Sequence, residues 1–151
     1  MAVTAFWYGK AFANILGGET AGESSAVDWL SDTIRVMLTT SAYTPAQDTD
    51  EFKSDVTNEV SGAGYTARGE ALANKTLTYT AGTNVNALDA DDVSWAAASF
   101  TARYAVVYKD TGVDATSILL GYVDFGGDQT VSAATFTITW AADGIFTITP
   151  A

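Results

Sequence analysis

The sequence predicts an all-β fold: a single-domain sandwich or small jelly-roll-like barrel of about seven or eight strands, with one or two short helices. Three observations predict it. Thr, Val and aromatic residues are plentiful while Leu, Glu and Lys are scarce, and β-branched and aromatic side chains suit a pleated, half-buried surface. Segments with an apolar residue at every second position recur at short spacing, punctuated by Gly, Asn, Asp and Pro. Few stretches carry the charged amphipathic period of a surface helix. The 151 residues suit one domain, large enough to bury a core without staples.

Residues 1–26 read as an N-terminal arm and linker, and 27–151 as the β domain. The arm gathers Val3, Phe6, Trp7 and Tyr8, then KAFANIL (10–16), two turns of helix with Gly17 as its C-cap glycine. GGETAGESSA (17–26) is a polar loop. The arm has two readings: a first strand or helix in the domain's own core, or a segment that docks on a neighbouring subunit.

Thr33 to Thr40, TIRVMLTT, alternates as a strand, and Ser41 to Asp50 is a loop in which Pro45 extends Thr44. Glu51 to Glu59 suits a short helical turn and a linker. Val60 to Thr66, with two glycines, is a turn or bulge; Arg68 to Ala73 is ambiguous. Lys75 to Thr80 is a strand with Leu77 and Tyr79 inward. Val85 to Leu88 is a short strand, Asp89 to Asp92 a loop, and Val93 to Trp95 opens another strand that Ala96 to Ser99 joins to the central pair.

That pair is FTARYAVVYKDTGVDATSILLGYVDF (100–125). In its first strand Phe100, Ala102, Tyr104, Val106 and Tyr108 share one face by alternation. Asp110-Thr111-Gly112 is turn chemistry. Ile118 to Phe125 is apolar on both faces, as in a strand covered on both sides. Gly126-Gly127-Asp128 reads as a turn. Thr135 to Trp140 is a strand, Ala141 to Gly144 a four-residue hairpin loop, and Ile145 to Thr149 the last strand.

Composition limits the chemistry. There are no cysteines and no histidines. Disulfides, thiolate metal sites and His-based triads are therefore excluded, and no cofactor is expected. Seven basic against 18 acidic residues give a net charge of −11, which repels phosphate backbones, so nucleic-acid binding is not expected. No apolar run reaches membrane-spanning length, and the first 16 residues lack a signal peptide's basic and apolar regions.

Acidic residues cluster at Asp48, Asp50, Glu51 and Asp55, and at Asp89, Asp91 and Asp92. Such oxygens could hold Ca²⁺, but the calcium-loop pattern is absent, and solvated loop charge is the plainer reading. Ser54 with Lys53 and Ser117 with Lys109 form nucleophile pairs on paper, unsupported by any motif. Trp7, Trp29, Trp95 and Trp140, with the seven tyrosines, raise a sugar-binding reading, against which stands the ordinary use of aromatics as core. Arg103 is expected to pair across the sheet with Asp124. The residues thus point away from an enzyme.

IRVMLTTSAYTP (34–45), SDVTNEVSGAGYT (54–66), TARYAVVYKDTG (101–112), LLGYVDFG (119–126) and TFTITWAADGIFTI (135–148) together resemble a family of small virion proteins encoded in the head-gene clusters of tailed bacteriophages. The resemblance spans roughly residues 27–149. It implies capsid decoration, or cementing: a protein on the outer capsid surface of the virion that clamps neighbouring subunits of the major capsid protein. It also implies self-association, with a trimer expected. Apolar residues on both faces of 118–125 add to that expectation. The alternatives are a tail or fibre component, or a host-surface carbohydrate-binding module.

Phe6, Trp7, Tyr8 and Phe12 are the expected capsid or subunit interface. Adjacent side chains of an extended segment alternate sides, so three aromatics in a row cannot share one core. Burying each is worth about 1.5–3 kcal/mol, while ordering the backbone costs roughly 1–2 kcal/mol per residue. On that balance the arm orders only in the assembled particle.

Overall fold

The structure, a computed structural model, describes residues 2–3, 5–15 and 27–150. Its elements run β1 (Ala2–Val3), β2 (Phe6–Trp7), α1 (Ala11–Ile15), β3 (Ile34–Thr39), β4 (Glu70–Ala71), β5 (Thr76–Thr80), β6 (Val85–Asp89), β7 (Val93–Lys109), β8 (Leu119–Trp140) and β9 (Phe146–Ile148). Single 3-10 turns sit at Lys53–Asp55 and Asp114–Thr116. Two sheets form an all-β sandwich. The larger has the order β1-β8-β7-β3-β4, with β2 also paired to β8; the smaller has the order β5-β6-β9. All pairings are antiparallel except β1 with β8.

The larger sheet is covered on both faces, which is why its central strands read as nearly continuous apolar runs. Toward the smaller sheet, Ile34, Val36, Leu38, Ala105, Val107 and Leu120 meet Leu88 and Phe146. On the reverse face Met37, Val106, Tyr108 and Leu119 pack with Tyr8, Ala11 and Tyr43. Each aliphatic side chain buried this way contributes about 1.5–3 kcal/mol. The apolar second face of 118–125 is therefore occupied within the chain, and it no longer counts toward a contact between copies.

The central pair is longer and more irregular than alternation alone suggests. Ala102 pairs with Gln129, but Tyr104 pairs with Asp124. Gly126-Gly127-Asp128 is thus a bulge inside β8 rather than a turn, with Gly126 at φ 77°. A bulge shifts side-chain parity. Parity also changes within β7 at the register shift between Ala102 and Tyr104: Phe100 and Ala102 share the inter-sheet core with Ala105 and Val107, whereas Tyr104, Val106 and Tyr108 face the other way. Ala97 and Ala133, at φ 50° and 49°, lie where further register shifts bend the ribbon.

Three other expectations are revised. Residues 141–144 make no hairpin: β9 pairs with β6, and Ile145 N donates to Leu88 O at 2.8 Å, so this turn carries the chain from one sheet to the other. Leu77 shares the face of its buried partner Leu88, but Leu77 and Tyr79 are not covered; they are 51% and 58% exposed. Alternation shows which residues share a face, not whether anything covers it. The ambiguous stretch at 68–73 is the short edge strand β4, which needs Gly69. A Cβ at that glycine, with φ 71°, would lie 1.9 Å from Val36 O.

Candidate functional site

The arm reaches the larger sheet through backbone bonds first. Phe6 and Trp7 pair with Tyr122 and Gly121 of β8. Tyr8 N donates to Leu120 O at 3.0 Å, and Gly9 N to Gln47 O at 2.9 Å. Gln47 Nε2 returns a bond to Trp7 O at 2.6 Å, and Lys10 pairs with Glu51 at 2.9 Å. Gly121 makes the seat possible. A Cβ there would lie 2.3 Å from Phe6 O and 2.4 Å from the Phe146 ring.

Alternation then distributes the four expected interface residues. Trp7 turns into the sandwich, stacked on Phe146 at 4.2 Å and tilted against Phe12 at 4.9 Å. Phe6 and Tyr8 turn to the opposite side and flank Tyr122 at 5.6 and 5.3 Å. Tyr8 is fully buried, while Phe6 and Phe12 are 52% and 38% exposed. The Tyr8 hydroxyl lies 2.9 Å from the Tyr43 hydroxyl, which donates to Asp50 at 2.7 Å. Burial, together with the Asp50 charge, pushes both phenols well above the usual tyrosine range.

For residues 2–3 and 5–15, then, the boundary drawn at residue 26 does not separate an arm from the domain. The balance that left the arm unordered counted three side chains alone. It omitted the ladder bonds to β8 and the cover that Tyr8 and Ala11 give to the reverse face of the sheet. The expected C-cap at Gly17 and the loop at 17–26 lie outside the described residues.

Several members of the acidic clusters are taken up in local structure, while Asp89 Oδ1 is buried with no hydrogen-bond partner among the described residues. Asp50 accepts from Ala46 N at 2.9 Å as well as from Tyr43. Asp55 accepts from Glu51 N and Phe52 N, both at 2.9 Å. Asp91 accepts from Asn74 at 2.6 Å and Asp92 from Trp140 N at 3.0 Å. No group of three or more potential ligands converges among the described residues. Arg103 pairs with Asp124 at 2.8 Å, as cross-strand reasoning anticipates. Trp29, Trp95 and Trp140 are buried, so these three rings are not available to stack on a sugar. The paper nucleophile pairs are engaged elsewhere: Ser117 donates to Val113 O at 2.8 Å, Lys109 lies 3.0 Å from Asp32, and Lys53 lies 3.1 Å from Asp114.

One cluster was not anticipated. Arg68 binds Asp110 and Asp114, Arg35 Nε lies 2.7 Å from Asp110, and buried Lys53 lies between Asp114 and Glu59. Burial works to raise the Asp110 carboxyl, but Arg68, the Gly112 N–H and Arg35 outweigh it and hold the group below the usual range. These pairs tie the 110–118 loop to β3 and to the 53–69 segment. The sole signal in the sequence was that several of so few cations fall at 35, 53 and 68, with nothing to show that they converge.

The fold and its surfaces define a β-sandwich whose ionic and polar clusters brace loops, with aromatic side chains left exposed where the N-terminal strand crosses β8. No family model, curated protein or solved structure matches the chain.

Proposed function

We propose that this protein is a structural component of the tailed-phage virion: a capsid decoration protein that sits on the outer surface of the major capsid lattice and stabilises it. The observation that carries the reading is the exposed pair Phe6 and Phe12, on a segment otherwise anchored to the body. A lattice-binding protein needs apolar anchors held rigidly at the surface, because anchors that must order on binding lose affinity to entropy. The resemblance of residues 27–149 to head-gene virion proteins supports the same role. The −11 charge keeps densely decorated particles apart. Self-association as a trimer at the lattice site belongs to this proposal, and so does the absence of catalysis.

The test is co-sedimentation with expanded capsids, comparing the native protein with a Phe6→Ser/Phe12→Ser variant. Both side chains are partly in water already, so the variant keeps most of its melting temperature. The expected result is saturable binding that the variant loses by tenfold or more. Equal binding by both proteins, or none by either, overturns the reading.

A further inference from the structure

The strand β5 has one neighbour, β6, and among the described residues nothing pairs with its other edge. Its register with β6 is unbroken over five residues, from Thr76 opposite Asp89 to Thr80 opposite Val85. All five are exposed. Natural edges are usually blunted by a charge, a proline or a bulge. Thr-Leu-Thr-Tyr-Thr has none of these, and the flanking Lys75 is turned back to Asp32 O at 2.5 Å.

We propose that β5 is a self-association edge, on which a second copy of this chain pairs antiparallel about a twofold axis at Thr78. The strand is nearly palindromic. In that register Thr76 faces Thr80, Thr78 faces itself, and Leu77 faces Tyr79. The threonines then form one uninterrupted row on the face that carries Thr76, Thr78 and Thr147. Leu77 and Tyr79 cross-pair on the other face, where Leu77 already borders an apolar hollow with Trp29, Leu88 and Ile148. Aliphatic–aromatic cross-strand pairs of this kind are favourable, and two three-stranded sheets become one of six.

The self-complementary register favours this occupant, and the edge itself does not oppose it: Thr76 to Thr80 carries no charge, so although the whole chain carries −11 no like charges are set against each other along the paired strands. Area sets the strength. Fully covered tyrosines bury about 150–250 Å² each, so two half-exposed Tyr79 rings and two Leu77 side chains supply a few hundred Å². A stable dimer needs roughly 1,200 Å² or more. The contact is therefore weak, and copies held at high local density on a surface form it readily. It is isologous, so it links copies in pairs and is separate from any threefold contact. It does not rest on the capsid reading.

The experiment is sedimentation velocity on the full chain, from about 0.05 to 1 mM and at two salt concentrations, with no capsid present. The native protein is expected to show a monomer–dimer equilibrium that strengthens with salt, because screening reduces repulsion between two anionic copies. Thr78→Lys sets two ammonium groups against each other across the axis and is expected to weaken the dimer at least tenfold. Thr78→Val keeps it. An equimolar mixture of Thr78→Lys and Thr78→Glu is expected to recover association that neither variant shows alone, which a change in folding would not produce. Three results overturn the proposal: monomer throughout at 1 mM, a dimer indifferent to Thr78→Lys, or no recovery in the mixture.

Discussion

Replacing Tyr8 by Ala tests whether the N-terminal segment is part of the free domain. The ring is fully buried among Met37, Val106, Tyr108 and Leu119, and its hydroxyl continues into Tyr43 and Asp50. Truncating a large buried aromatic costs about 3–5 kcal/mol. For a domain of this size 1 kcal/mol lowers the melting temperature by roughly 2–4 °C, so Tyr8→Ala should melt roughly 6–20 °C below the native protein. Tyr8→Phe keeps the packing and loses one hydrogen bond, about 0.5–1.5 kcal/mol, or a few degrees. Phe6→Ala, at a side chain already half in water, should fall within about 1 kcal/mol of the native protein. Calorimetry or circular dichroism on the isolated protein gives all three values, and their order matters as much as their size. If Tyr8→Ala melts with the native protein, the segment is not seated before assembly, and the account of the reverse face of the sheet fails with it.

Gly69→Ala combines a left-handed backbone, worth about 1–3 kcal/mol of strain, with an overlap against Val36 O that costs another 1–3 kcal/mol or so to relieve; denaturant unfolding should register the sum, and a loss under 1 kcal/mol contradicts the close approach. Burial raises the phenols of Tyr8, Tyr43, Tyr65 and Tyr108 well above their ordinary 10. Groups raised in the folded state contribute stability that is complete below pH 10 and is lost as pH rises toward their folded values. An absorbance titration of the native protein should therefore leave at least these four of the seven tyrosines un-ionised past pH 10, and release them together with unfolding; smooth titration of all seven near pH 10 contradicts the burial.

Much of the sandwich was legible because strand period is a local signal. The strand at 34–39, the turn near 53–55 and the alternation of Phe136, Ile138 and Trp140 are all present. What sequence could not supply was which strand pairs with which. The turn at 141–144 looks the same whether the next strand folds back or crosses over. Likewise Gly126-Gly127-Asp128 suits a turn and a bulge equally, and the register shift between Ala102 and Tyr104, which sets Phe100 and Tyr104 on opposite faces, leaves no mark in the alternation. The exposure of Leu77 and Tyr79 escaped because strand alternation carries no information about cover. For the interface residues, alternation correctly implied that Phe6, Trp7 and Tyr8 divide between two sides. That Tyr8 meets a pocket of the same chain depended on Gly121, a lone glycine in an apolar run whose role emerges only where Phe6 O approaches it.

A reconstruction of the phage particle at modest resolution, with and without this protein, tests the decoration role most directly. The account predicts added density on the outer capsid surface, each copy bridging neighbouring major-capsid subunits with the N-terminal segment that carries Phe6 and Phe12 toward the shell. Density confined to the tail or its fibres, or a shell identical in the two particles, would contradict it.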